Sequence, residues 1–363
     1  MIELDRRRFL QMAGSASLLS TVGSKLGWAS IQPRRPKFAY VGTDEAIHVY
    51  SISQRQPLRE LQTVASARPA ALAVGKGRLY VANDVSEVGN LPRGSVESYA
   101  IDPLTGHLEW INRVPLSLSA VGPRNLAISP DDRSIVVAVH GGGAYNVISL
   151  DEDGRLGKVR GILKEIGSGP HPLQTSAHPS AIVFDRQGRV LTADLGADRL
   201  SVLALAEDEI AVSSRCELVA GSGPGSMVLH PAGTHAYVAH ALNGTMSSFD
   251  YGPTAALKHN QTVRVAGHAE AAALAMHPSG EALYSSHGRD LQTCTLTRDG
   301  GMQPSHRLEG LYAHTLQITA EGGSLFALSN DAMLRMKIDP VTRIPSTPEE
   351  VTSLSHPLSI AVV

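Results

Sequence analysis

The sequence predicts an all-β chain, a seven-bladed β-propeller whose first blade is closed by the C-terminal strand. Three observations carry this. The first is a repeated unit, shown most fully from Pro179 to Leu205. Pro179-Ser180-Ala181-Ile182-Val183-Phe184 alternates apolar residues and ends at a turn, Arg186-Gln187-Gly188. Two further short runs follow, Val190–Ala193 and Leu200–Leu205, each bounded by turn residues, as in an antiparallel meander. The second is the period. The unit opens at Pro69, Pro123, Pro179, Pro224, Ala271, His314 and Pro357, roughly 42 to 56 residues apart, the spacing of four-stranded blades. The third is the fit between the ends. The unit at Pro357 has an opening strand and no continuation, and the unit at Phe38–Ile52 has later strands but no opening strand. Joined, they make one blade and leave no unpaired edge.

Taken in order, residues 1–29 read as a twin-arginine export signal. Asp5-Arg6-Arg7-Arg8-Phe9-Leu10 precedes a weakly apolar stretch from Met12 to Val22, and Gly27-Trp28-Ala29 offers a small-residue cleavage site. A disordered basic tail is the bland alternative. The stretch is too short and weak for a stable membrane anchor. The export machinery is then a partner, the periplasm the destination, and residues 30–363 the propeller, with Ile31–Pro36 as linker.

Blade two carries an insertion, Asp84–Arg93, between its second and third strands. Such loops gather on one rim, which often holds the site. The turns at Ile101–Leu108, Leu150–Leu156 and Ile338–Ile344 are acidic and mostly glycine-containing. Their carboxylate spacing fits hairpin chemistry and no calcium loop. A long polar connector carrying His171 and His178 links blades three and four, and Gly221-Ser222-Gly223-Pro224 links four and five. A strand follows that glycine run, so it is not a phosphate-binding loop.

Composition narrows the function. The chain of 363 residues is 42% hydrophobic but only 4% aromatic, so its core is aliphatic. Its net charge of −2 argues against a nucleic-acid partner. Cys216 and Cys294 fall in different blades, outside any metal or redox motif, and read as free thiols.

The repeat, Asp194-Leu195-Gly196-Ala197-Asp198, the Gly-Ser-Gly-Pro at 221–224 and Ile101-Asp102-Pro103-Leu104-Thr105-Gly106 resemble the seven-bladed propeller lactonases, the 6-phosphogluconolactonase-like proteins related to carboxymuconate-lactonising enzymes. The resemblance spans roughly residues 38–363. It implies hydrolysis of a sugar-acid lactone, without cofactor or metal. The sequence departs from that family at the site. His178-Pro179-Ser180 keeps one histidine of a His-x-His-Ser segment. Gly225-Ser226 stands for Arg-His, and His240-Ala241-Leu242 for Asn-Glu-Leu. The family's substrate-handling arginine and glutamate are therefore missing at 225 and 241.

Lactone opening needs a base, donors for the oxyanion and a cation for the acid. His178 is the candidate base. Arg124 holds in blade three the place of the missing arginine of blade five. His140, His240 and His287 end what read as equivalent strands and are expected to face one rim or the channel, with Arg289 as a further cation. Three histidines at one mouth also suit a metal. Asp194 and Asp198 are expected to bind turn backbone, and His230 and His277 to be structural. Two function classes stay open: a hydrolase, or a non-catalytic periplasmic propeller that binds a small anion or a protein.

Overall fold

The structure is a computed structural model that describes residues 37–53, 58–206, 209–265 and 272–363. The export signal, its arginines and the linker lie outside the described residues. The described strands belong to one compact unit, Pro36–Val363, and among the described residues there is no helix.

Blade one is β1 (Lys37–Gly42), β2 (Ala46–Ile52) and β3 (Arg59–Ala65). Blade two is β4 (Pro69–Gly75), β5 (Arg78–Asn83), β6 (Ser95–Ile101) and β7 (Leu108–Pro115). Blade three is β8 (Pro123–Ile128), β9 (Ser134–Val139), β10 (Ala144–Leu150) and β11 (Leu156–Lys164). Blade four is β12 (Pro179–Phe184), β13 (Val190–Asp194), β14 (Arg199–Leu205) and β15 (Ile210–Glu217). Blade five is β16 (Pro224–Leu229), β17 (His235–His240), β18 (Thr245–Tyr251) and β19 (Leu257–Arg264). Blade six is β20 (Ala272–Met276), β21 (Ala282–His287), β22 (Asp290–Leu296) and β23 (Met302–Glu309). Blade seven is β24 (Thr315–Ile318), β25 (Ser324–Leu328), β26 (Ala332–Lys337) and β27 (Glu349–Ser353). The last strand, β28 (Ser359–Val362), pairs with β1 and gives the sheet order β28-β1-β2-β3. The expected seven blades and circular closure are what the chain forms.

Alternation explains why the second strands read as unbroken apolar runs. In Ser134-Ile135-Val136-Val137-Ala138-Val139 every residue is buried. Ile135, Val137 and Val139 pack toward blade two, whereas Val136 and Ala138 pack toward blade four. Opposite faces of one strand thus feed two interfaces. Seven apolar clusters result, one between each pair of neighbouring blades, including seven and one.

Polar latches reinforce these interfaces. Tyr40 donates its hydroxyl to the Gly106 carbonyl at 3.1 Å, Tyr80 to Gly154 at 3.1 Å and Tyr284 to Arg343 at 2.8 Å. Each reaches the outer turn of the next blade. Those turns close by hairpin chemistry, as expected: the Asp102 carboxylate accepts from the Leu104 and Thr105 amides, and Asp339 from Val341 and Thr342. His230 and His277 are structural too, the first ring nitrogen meeting the Gly280 carbonyl at 3.2 Å. A methyl on Gly280 would sit 2.4 Å from that ring, at a φ of +74° that already favours glycine. Cys216 and Cys294 are free thiols.

Closure rests on four residue pairs between β28 and β1, from Ala39↔Val362 to Gly42↔Ser359. The Phe38 and Val363 amides exchange bonds beyond it, at 3.0 Å each. Ile360 and Ala361 are buried, in different inter-blade clusters. Removing Leu358–Val363 is expected to cost on the order of 5 kcal/mol, from two or three apolar side chains at about 1.5–3 kcal/mol each plus an exposed strand edge. Denaturant unfolding of the truncated chain checks this; an unchanged midpoint would contradict the closure.

Candidate functional site

The innermost strand of each blade runs antiparallel to the second, so its start and the second strand's end share a rim. The insertion at 84–93 and the connector before His178 lie on that rim. There the seven innermost strands surround a cavity of about 480 Å³, lined by Ala70, Arg124, Ser180, Gly225, Ala273, Thr315 and Ser359 among others. Among the described residues its walls include no aspartate or glutamate.

Four of these residues share a backbone device. Pairing skips one residue after the opening proline, at Pro69/Ala71, Pro123/Asn125, Pro179/Ala181 and Pro224/Ser226. The proline begins the strand, where its missing donor costs little. The skipped residue is a bulge, which re-aims its side chain. Ala70, Arg124, Ser180 and Gly225 are those residues, and all four line the cavity. Arg124 is exposed there and forms no hydrogen bond or ion pair among the described residues. Ser180 is held by the Ala193 and Pro224 carbonyls at 3.0 and 2.7 Å, and Gly225 leaves its place empty of side chain.

His140 follows β9 and lines the cavity beside Arg124. Its ring stacks on His178, centroids 4.6 Å apart and planes 18° apart. His178 Nδ1 lies 3.0 Å from the His140 carbonyl oxygen. A carbonyl only accepts, so Nδ1 carries a proton, and in the neutral ring the lone pair sits on Nε2. Burial, then His178 and Arg124, push His140 down from 6.5 to about 4, which keeps it neutral at ordinary pH.

The backbone around His178 is fixed from blade four. Asp194 accepts the His178 amide at 2.7 Å and the Ala197 amide at 3.0 Å. A methyl on Gly196 would lie 1.8 Å from the Ser176 carbonyl, so only glycine lets the connector pass. Asp198 accepts the Gly221 and Gly223 amides, both at 2.7 Å, and the Ser222 hydroxyl. Both aspartates bind backbone, as the sequence suggested. Burial pushes the Asp194 carboxyl up, against the pull of the His178, Ala197 and Gly196 amides.

Three sequence candidates are corrected. His240 and His287 do not line the cavity, and Arg289 sits exposed in the tight turn between β21 and β22, also outside it; His178 is not in the lining either, and is half-buried behind His140, on whose ring it stacks. The cause is one residue of register. Pro224 pairs with His240 and Ala272 with His287, but Pro123 pairs with Val139. His140 therefore lies one position beyond His240 and His287, and one residue along a strand reverses the face. His240, in step with Ala236 and Val238, turns toward blade four. There it is buried, its Nε2 sharing a hydrogen bond with the Ser247 hydroxyl at 2.9 Å. His287 is buried and shares one with Ser285 at 2.7 Å. Among the described residues no three histidine, cysteine or carboxylate side chains converge as a metal site. The true counterpart of His140 in blade five is Ala241. Arg124 and His140 thus occupy in blade three the two places that Gly225 and Ala241 hold in blade five.

One lining residue was not anticipated. His314 meets the cavity, with Nδ1 3.0 Å from the Thr315 hydroxyl and Nε2 donating to the Ser329 carbonyl at 3.2 Å. Its signal was a histidine opening the sixth unit where five others have proline.

The buried histidines set an acid limit. His140, His240 and His287 each fall from 6.5 to about 4, burial being the largest cause. The unfolded chain takes up their protons near 6.5 and the folded chain only near 4. Stability is therefore unaffected above pH 6.5 and falls between 6.5 and 4, by on the order of 2–3 kcal/mol per histidine at the acid end. The raised carboxyls of Glu165 and Asp194 work the other way at the acid end. The unfolding midpoint is expected to drop across this window, and less in a His240→Asn, His287→Asn double variant. A flat profile from pH 7 to 4.5 would overturn the account.

Comparison with known proteins agrees with this architecture. Residues 38–339 match the family described as "Lactonase, 7-bladed beta-propeller". Among curated relatives, the 6-phosphogluconolactonase of Bacillus subtilis is 27% identical over 226 residues, 60% of this chain and 63% of that protein. A Lactococcus lactis protein without assigned function is 30% identical over 159 residues, 42% of this chain and 46% of its own length. The chain thus aligns with less than two thirds of either relative. Among solved structures, the periplasmic gluconolactonase of Pseudomonas aeruginosa superposes with a TM-score of 0.83 at 23% identity, covering 90% of this chain and 99% of that one. A Lactobacillus plantarum protein does so at 0.80 and 20%, covering 91% and 99%. At such identities the superpositions establish the fold alone. The family match covers most of the propeller, and the chain belongs to the seven-bladed β-propeller lactonases.

Proposed function

We propose that the channel mouth of blade three hydrolyses the lactone of an unphosphorylated sugar acid. The observation that carries this is Arg124, which has no ion-pair partner and meets no carboxylate in the cavity among the described residues, beside the stacked pair His140 and His178. His178 acts as the base through Nε2. It takes a proton from water as the water attacks the lactone carbonyl. Arg124 faces the oxyanion that develops. When the carbon–oxygen bond of the ring breaks, His178 returns the proton to the departing alkoxide, and the product is a hydroxy acid. His140, neutral and lining the cavity, orients the substrate. A single cation suits the one oxyanion that develops on a neutral lactone; a phosphate dianion calls for more. The Pseudomonas aeruginosa neighbour is a periplasmic gluconolactonase, which supports the unphosphorylated class.

His178→Ala is expected to lower kcat by about 10²–10⁴ with an unchanged unfolding midpoint. Arg124→Lys is expected to lower kcat more than it changes KM, because a point charge replaces a guanidinium fork at the developing oxyanion. Initial rates on several aldonolactones, corrected for spontaneous opening, check both. Turnover untouched by His178→Ala overturns the base assignment. No turnover of any lactone, with ligand-induced stabilisation retained, favours the non-catalytic binder, for which the bare positions at Gly225 and Ala241 speak.

Export by the twin-arginine route is part of the same proposal. With Arg6 and Arg7 both changed to lysine, the precursor is expected to stay in the cytoplasm. Fractionation of expressing cells checks this, and normal periplasmic accumulation would remove the reading.

A further inference from the structure

We propose that a groove between blades three and four, on the face away from the channel mouth, binds a chain of linked acidic sugars. The groove measures about 1040 Å³ and is walled by the turn before β9, by β11, by the turn between β12 and β13, and by the end of β14. Arg133, Lys158, Arg160 and Arg186 line it. One acid lines it too, Asp131, and its carboxylate already accepts the Ser129 hydroxyl at 2.6 Å and the Arg133 amide at 3.1 Å.

None of these four cations forms an ion pair with a carboxylate among the described residues. Elsewhere in the ring arginines pair with acids, as Arg189 does with Asp185 and Arg343 with Glu281. Here the anchors are neutral. Arg160 donates to the Ser134 hydroxyl at 2.7 Å and the Ala206 carbonyl at 3.1 Å. Arg186 donates to the Pro231 carbonyl at 2.7 Å. Two guanidinium groups are thus held in place without being neutralised. Arg133 and Lys158 are exposed, and their charged ends bond to nothing described. Glu207 and Asp208, next after Ala206 in the sequence, lie outside the described residues.

Four cations against one carboxylate, Asp131, which lies close enough to Arg133 to feel its charge, leave the described lining net positive, and an entering anion would relieve the repulsion. A single carboxylate or phosphate is too small to meet all four across this volume. Among the described residues no aromatic ring lines the groove, so nucleic-acid bases would find nothing there to stack on. Ser149 and Gln187 add hydroxyl and amide groups suited to sugar hydroxyls between the charges. A uronic-acid chain supplies both features, with carboxylates for the arginines. This inference is independent of the lactonase reading.

The test is calorimetric titration at low salt with oligogalacturonate, a neutral malto-oligosaccharide of equal length, oligoglutamate and inorganic phosphate. Oligogalacturonate is expected to bind most tightly, and added salt to weaken it. The exposed pair change Arg133→Gln, Lys158→Gln is expected to weaken it about tenfold or more. An unchanged unfolding midpoint and unchanged lactone turnover in that variant separate this site from the channel mouth. No binding, binding unaffected by the double change, or equal binding of the neutral chain, oligoglutamate or phosphate would each overturn the proposal.

Discussion

A blade of this ring cannot bury its own apolar faces. Each central strand is apolar on both sides, and its only cover is the blade before it and the blade after. The core is therefore seven wedges, with a cavity at the rim where a single globule would have its centre. Every other feature follows from keeping those wedges filled around a full circle. The tyrosine latches, the histidine–glycine contact between outer turns and the aspartate-bound connectors all tie one blade to the next. The outer edge has its own device. Pairing between third and fourth strands shifts register in all seven blades, which twists the exposed edge away from other chains.

The same repetition makes the site movable. A bulge after the opening proline turns one residue from each of four blades toward the cavity. The residue after the second strand approaches the same mouth. A blade with functional side chains at both places can hold a substrate, and neighbouring blades offer the same geometry. In this chain blade three has an arginine and a histidine there, and blade five has glycine and alanine. Chemistry written on one blade can be lost and regained on another while the wedges stay intact.

Much of the fold was legible because the repeat is spelled in turn residues and alternation, which are local. The seven openings, the complementary ends, the insertion at Asp84–Arg93 and the turn roles of Asp194 and Asp198 all came from short windows. The site was legible in part. Arg124 could be placed because it follows an opening proline, like Gly225. His240 and His287 could not be told from His140, because the difference is where pairing stops on a second strand. That is decided by the partner strand, at Val139 in one blade and at the histidine itself in the others. His314 escaped notice because its role comes from convergence of all seven blades, which no local window contains. The basic groove escaped for the same reason: its four cations come from three separate stretches of chain.

The strand that closes the ring follows the twenty-seven other described strands along the chain. During synthesis blade one therefore waits, with Val41 and Tyr40 lacking their neighbours, until residues 359–362 have left the ribosome. Blades two to seven can stack as they emerge, but the circle stays an open arc until that moment. A chain cut short by a nonsense codon or a stalled ribosome keeps two raw ends, each with an uncovered apolar face. Because the clasp joins strands from the two ends of the propeller, Ala39 to Val362, no shorter stretch of it can close the circle.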